Sequence, residues 1–413
     1  MTTLPSPLRD DLLDPEVNHD PYPAFAALRE EDPVHYSETH RAWLVTRYDD
    51  VAAAFGDARL SSDRVRPLLA ALSPERRFEA GPVMELIADW MVVTDQPRHT
   101  RLRKLATAAF RPRQVAAMEG RVRELVEGQL DEFVAGGEQE LVAGFSMPLP
   151  ATVIAELIGA PAADAERFAL WSRELALVAF GAGGDGRGER HRRALASIEE
   201  MLSYIGELIE RERVEPGGET MIAGLVAGDG DGERLDDEEI KGMCALMLFA
   251  GHETTTTTIT SAVKLLIEHP DQLEMVRADP ALAGRAVEEV LRFEGAIKVL
   301  HRWVLEDLEL RGREIAAGDR VLLIPAAANR DPDRFVEPDR FDVSRSPNPH
   351  LAFGRGAHAC IGAMLARMEM RVAITAIVER LPGLRFAAAE PRFDWTPSLA
   401  SRGLVELKVA HGG

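Results

Sequence analysis

The chain has 413 residues, room for one large domain or two average ones, and its 46% hydrophobic and 28% charged content is that of a soluble globular protein with a sizeable core. A formal charge of −20 at pH 7 argues against nucleic acid as a partner. Two cysteines far apart in sequence give no disulfide framework and fit a reducing cytoplasm, and neither a signal-type leader nor an apolar run long enough for a membrane anchor is visible.

The first 35 residues read as an irregular lead-in and a short helix, Tyr22 to Glu31, ended by Asp32-Pro33. Between Val34 and Arg47 the runs V-H-Y-S and A-W-L-V-T-R predict a hairpin, and Asp49 to Gly56 restarts a helix. From Ser61 to Asp89 the pattern loses its period, broken by Pro67, Pro74, Gly81 and Pro82, and predicts a long connection that either lines a pocket or lies on the surface.

In D-Q-P-R-H-T-R-L-R-K-L, His99 and Arg103 stand four apart on one helix face, where their donors either grip an anion or meet solvent. Six positions between Arg98 and Arg113 are Arg or Lys, a local reversal of the overall charge that suits either a solvated face or an acidic docking partner. Apolar spacing predicts mostly helix from 114 to 215, with a break at Gly181 to Gly188. The G-A-G-G-D-G in that break matches a dinucleotide fingerprint only formally, because no strand precedes it.

Asp236 caps the longest predicted helix, which runs to Glu268 and is stopped at His269-Pro270. Its middle, M-C-A-L-M-L-F-A, is apolar on nearly all sides, so it crosses the core with Cys244 as a small hydrophobe. A-G-H-E-T-T follows directly. A carboxylate and a hydroxyl inside a core helix, Glu253 and Thr254, are costly unless satisfied, which makes them candidates for chemistry and not for packing. A zinc-protease reading of H-E-T-T fails for want of a second histidine, and the hydroxyls of Thr255 to Thr258 are expected to bond back to carbonyls one turn earlier.

Glu289 and Arg292 form an i,i+3 pair. Short strands are predicted across 297–323, with a turn at Arg311-Gly312, and again across 384–409, with Ser398 and Leu399 at a turn. Between Leu323 and the end of the chain lies F-G-R-G-A-H-A-C-I-G, Phe353 to Gly362, just before a long helical pattern, Ala363 to Leu381. Glycines there allow tight turns and close approach of a bulky partner, and a helix start favours the thiolate of Cys360. Such a cysteine is a nucleophile, a redox thiol or a metal ligand. The lack of a second cysteine three positions away argues against a dithiol pair or a zinc knuckle.

This segment resembles the haem-binding signature F-G-x-G-x-H-x-C-x-G of the cytochrome P450 superfamily, with every fixed position present. The resemblance extends, in order, over nearly the whole chain. It implies a mainly α fold with a small β-rich lobe (34–47, 297–323 and 384–409) in one domain, with haem b between the long central helix and the helix after Cys360. Carried over position by position, it makes Cys360 the iron ligand, with Phe353, Gly354 and Gly362 around it. His99, Arg103, Arg302, Arg355 and His358 become partners of the haem carboxylates. Gly251 leaves room for dioxygen, Thr254 bonds it, and Glu253 relays protons. Glu289, Arg292 and Arg340 become a structural ion-pair triad.

Ile297, Lys298, Val299, Leu300 and Leu399 fall where family members line the substrate pocket. Lys298 there either meets an anionic or polar group of the substrate or faces outward from its strand. The implied reaction inserts one oxygen atom of dioxygen into a mainly apolar small molecule, free or tethered to a carrier protein. Electrons would come from NAD(P)H indirectly, through a separate ferredoxin-type protein and its reductase, to a cytoplasmic monomer. A peroxide-using or isomerase-type variant and a non-catalytic haem protein are the rivals.

Overall fold

Asp236 opens the longest helix, Asp237–Glu268, through a capping box: its carboxylate accepts from the Glu239 N–H at 2.8 Å, and the Glu239 carboxylate accepts from the Asp236 N–H at 3.2 Å. The pair satisfies two of the donors that every helix start leaves open, and such a cap contributes ~1 kcal/mol. From Met243 to Phe249 every residue is buried, so this helix forms the axis of the core. Helices Pro148–Ile158, Ala165–Ala179, Ala283–Glu294 and Ala363–Arg380 all pack against it. In this computed structural model the described residues are 8–110, 112–134, 138–179, 186–228 and 232–412.

The β-rich lobe is a five-stranded sheet in the order Val34–Ser37, Ala42–Val45, Arg320–Leu323, Leu300–Val304, Leu60–Ser61. All its pairings are antiparallel except the parallel one between Ala42–Val45 and Arg320–Leu323. Ser61 pairs with Trp303, which brings the chain just after Ser61 beside Arg302. The turn expected at Arg311-Gly312 joins strands Leu308–Leu310 and Arg313–Ile315, with φ of 49° and 74° at its two residues. A third sheet joins Glu138–Glu140, Lys408–Ala410 and Arg385–Phe386; its first strand interrupts a stretch whose spacing predicts helix. Among the described residues no helix is long and apolar enough to cross a membrane.

Two further expectations change. The aperiodic connection predicted over Ser61–Asp89 contains two helices, Arg66–Ala71 and Pro74–Ala88. Pro74 stands in the first turn, where no N–H is needed, and Ser73 before it accepts from the Arg76 N–H, so this proline starts a helix and does not break one. The glycine-rich break at Gly181 to Gly188 lies largely outside the described residues, and from Arg187 the chain is helical to Val214.

The structural triad also needs correction. The carboxylate of Glu289 is fully buried and accepts from Arg292 Nε and Nη2, both at 2.8 Å. Its second cationic partner is Arg345, not Arg340, and the Asp342 N–H and Asn348 Nδ2 complete the shell at 2.9 and 3.0 Å. The Arg340 side chain is 58% exposed and pairs with Glu337; only its carbonyl joins the network, accepting from Arg292 and Arg345. The meander after Asn329 offers several arginines a few residues apart, and the path of its backbone decides which one reaches the acid.

Candidate functional site

Cys360 is held by a tight loop. Its N–H donates to the Phe353 carbonyl at 2.8 Å and the Gly354 N–H to the Leu351 carbonyl at 2.9 Å. Gly354 and Gly356 adopt φ of 64° and 70°, a region that any side chain would strain. The Arg367 guanidinium stacks on the Phe353 ring, 4.4 Å from its centroid, and donates to Glu288, which fixes the aromatic beside the loop. Cys360 is solvent-accessible, yet burial raises its thiol above the ordinary value, against the N–H of Gly362, Arg103, Arg367 and the N–H of Ala363. The sulfur is thus reachable by a ligand and yet largely desolvated. Ala250 tells the same story from the central helix, being exposed in the midst of a buried run.

Cationic groups converge beside the loop with little to neutralise them. His99 is 2% exposed, its ring stacks on His358 at 3.9 Å, and neither of its ring nitrogens has a hydrogen-bond partner among the described residues. Burial, then His99, Arg302, Arg103 and Arg64, push His358 down to about 3. Burial and Arg64 lower buried Arg302 to about 10, with Asp95 opposing. Arg64 itself is lowered to about 10 by burial. The Asp95 carboxylate is already engaged by the Ser61 hydroxyl and the Ser62 N–H. Such mutual repulsion in a desolvated place is relieved by a ligand carrying two carboxylates. The residues present therefore fit haem b: a thiolate for the iron and an arginine–histidine cluster for the propionates.

Nothing in the sequence singles out Arg64, which falls in the aperiodic stretch; the pairing of Leu60–Ser61 with Trp303–Val304 leads the chain toward Arg302, on which the charge of Arg64 acts. Arg103 belongs to the cluster, lowered by burial and raised by Cys360. Arg355 does not share in it; it is exposed, and no contact of its side chain with the cluster is present among the described residues. The basic run is also less of a docking face than its charge implies. Arg98 pairs with Asp89 at 2.8 Å, Arg101 with Glu239 at 2.6 Å and Lys104 with Glu233 at 3.7 Å, while Arg103 turns inward. Arg111 lies outside the described residues.

On the central helix, burial raises Glu253 to about 7, with Arg173 opposing, so the carboxyl is half protonated near neutrality. Thr254 Oγ1 donates to the Ala250 carbonyl at 2.8 Å, which leaves its lone pairs free to accept. Thr258 bonds back in the same way, to the Thr254 carbonyl at 2.8 Å, whereas buried Thr256 Oγ1 has no partner among the described residues. The helix is continuous through this segment. The Cβ that Gly251 lacks would stand 3.3 Å from Ile154 Cδ1, so glycine here also lets helix Pro148–Ile158 pack closely.

The expected pocket wall divides. Lys298 is 1% exposed and donates through Nζ to Asn18 Oδ1 at 3.0 Å, so it neither reaches a ligand nor faces outward. Burial and Arg402 lower it to about 7. Val299 is buried in the β-rich lobe's own core. Ile297, Leu300 and Leu399 remain partly accessible, with Ile297 bridged to Ser401.

Comparison with known proteins agrees with this geometry. Residues 187–382 match the family model for cytochrome P450. The chain is 39% identical to cytochrome P450 monooxygenase PikC of Streptomyces venezuelae, over 94% of this chain and 91% of that protein. It is 37% identical to 6-deoxyerythronolide B hydroxylase of Saccharopolyspora erythraea over 100% of both. The crystal structure of P450BioI with a hexadec-9Z-enoic acid-ligated acyl carrier protein superimposes with a TM-score of 0.87 at 34% identity, covering 96% of this chain and 99% of that one.

Proposed function

Since the chain belongs to the cytochrome P450 family and is a haem-thiolate monooxygenase, we propose that Cys360, Glu253 and Thr254 carry its chemistry and that its substrate is a bulky, mainly apolar carbon skeleton of polyketide type. When bound, haem b supplies dioxygen activation with two electrons and two protons, one oxygen atom leaving as water and the other entering the substrate. Cys360 Sγ would hold the iron, with the N–H groups of Gly362 and Ala363 favouring its thiolate against the burial that raises the thiol. Arg64, His99, Arg103, Arg302 and His358 would hold the haem's two carboxylates. Glu253 keeps a proton at its carboxyl near neutral pH and passes it on, while the Thr254 hydroxyl, already donating to Ala250, orients the acceptor side.

The observation that carries this reading is the desolvated yet accessible sulfur beside an unneutralised cationic cluster. Support for the polyketide-type substrate comes from the 33% identical polyketide biosynthesis cytochrome P450 PksS of Bacillus subtilis, and the 37% identical mycinamicin IV hydroxylase/epoxidase of Micromonospora griseorubida favours hydroxylation or epoxidation as the outcome. Tethering of the substrate to a carrier protein is the second reading, favoured by the carrier bound to P450BioI. We take the whole chain as one domain acting as a cytoplasmic monomer, and its electrons as coming from a ferredoxin-type protein and its NAD(P)H-dependent reductase. Product formation with a surrogate ferredoxin and reductase, from macrolactone and acyl-carrier substrates in parallel, tests these points. Activity with peroxide alone, or none, would favour the peroxide-using or non-catalytic rival. A reduced, carbon monoxide-treated protein without the red-shifted Soret band of a thiolate ligand would overturn the assignment of Cys360.

A further inference from the structure

His252 stands between Gly251 and Glu253 in the middle of the central helix with a fully buried side chain, and the chemistry above gives it no task. Its Nε2 lies 3.1 Å from the Met147 carbonyl, at the entry to helix Pro148–Ile158. A carbonyl only accepts, so Nε2 carries the ring proton and Nδ1 is left as a bare acceptor. That Nδ1 is buried, has no hydrogen-bond partner among the described residues, and lies 3.9 Å from Glu253 Oε1. An acceptor stranded inside a protein is costly, and a carboxyl O–H one small rotation away is the group that satisfies it.

We propose that His252 is the positioning residue of Glu253: its Nδ1 accepts a hydrogen bond from the protonated carboxyl and fixes the orientation in which the acid holds its proton. The carboxyl must move by about 1 Å to reach bonding distance. The proton stays on Glu253, because burial lowers the imidazole to about 4 while it raises the carboxyl to about 7. Arg173, on helix Ala165–Ala179, is the competing partner; its charge acts on both groups. A guanidinium attracts the ionised carboxylate and offers nothing to an O–H donor. The His252 contact therefore belongs to the proton-loaded acid. It rests on Glu253 being the relay acid only for its effect on turnover, not for the contact itself.

Two substitutions in the haem-loaded enzyme separate this role from plain packing. His252→Gln keeps a donor toward Met147 and removes the acceptor toward Glu253; His252→Asn keeps an acceptor at the Nδ1 position and removes the donor. The first readout is the infrared C=O band of the Glu253 carboxyl in the ferric protein, assigned by its loss in Glu253→Gln. Wild type and His252→Asn are expected to share one frequency, and His252→Gln to shift upward. The second readout is the hydrogen peroxide released per product, expected to rise about fivefold in His252→Gln, the factor carried by one neutral hydrogen bond, and little in His252→Asn. An unshifted band in His252→Gln, or greater uncoupling in His252→Asn than in His252→Gln, overturns the proposal. If His252→Asn fails to fold, the band of His252→Gln decides alone. If Glu253→Gln turns over without uncoupling, the relay role of Glu253 falls, while the band still decides the contact.

Discussion

Arg345 donates through Nε to both carboxylate oxygens of Glu289, at 3.2 and 3.1 Å, and so shares a fully buried anion with Arg292. This anion joins helix Ala283–Glu294 to the meander that leads to Cys360, because Arg292 also donates to the carbonyls of Asn329, Pro338 and Arg340. Stability of the ligand loop therefore depends on this buried charge network.

Removing one partner leaves the other charge buried and unpaired. Arg345→Ala and Glu289→Gln are each expected to destabilise by about 3–5 kcal/mol. Arg340→Ala is expected to cost no more than about 0.5 kcal/mol, since alanine keeps the carbonyl that matters. Urea unfolding of the haem-loaded variants measures the contrast, and equal losses for Arg340→Ala and Arg345→Ala would refute it.

Glu253 gives a pH signature. Its carboxyl titrates near 4.5 in the unfolded chain and at about 7 in the folded one, so between those values the folded state keeps a proton that the unfolded state has lost. Stability relative to a non-titrating variant therefore falls as pH rises through this window and levels off above it. Glu253→Gln should gain on wild type from pH 4.5 to about 7 and stay level beyond. Denaturation midpoints across that range provide the check; a difference that does not vary with pH would mean a solvated acid.

The cationic cluster predicts effects of opposite sign with and without haem. In the haem-free protein, Arg64→Ala or Arg302→Leu removes a mutually repelling charge and should raise the melting temperature. In the loaded protein the same change removes a charge-assisted bond, and haem should be lost to apomyoglobin about tenfold faster. Thermal melts of both forms and the transfer rate are the measurements. A loss of stability in the haem-free form would contradict the repulsion.

Lys298 sits against Asn18, away from the ligand, so Lys298→Met should leave the substrate-induced spectral shift unchanged. Burial has brought the amine from 10.5 to about 7. Between those values the unfolded chain binds a proton that the folded chain rejects, so the wild-type protein loses stability as pH falls from 10.5 toward 7. The stability gap between Lys298→Met and wild type should therefore widen in favour of methionine over that fall. A gap constant with pH would show the amine to be fully charged in place.

The sequence alone determined the local features: the capped central helix, the hairpin at Val34, the glycine-fenced cysteine and the acid–alcohol pair Glu253 and Thr254. Each is written within one or two turns of chain, where spacing, caps and steric limits act directly. Only the tertiary structure decided that Arg345 and not Arg340 meets Glu289, that Arg64 joins the cluster around His99 and Arg302, and that Lys298 turns to Asn18. Arginines a few residues apart are chemically equal in the sequence. Which one desolvates against a given carboxylate depends on the path of a backbone more than fifty residues away, and no local period encodes that path.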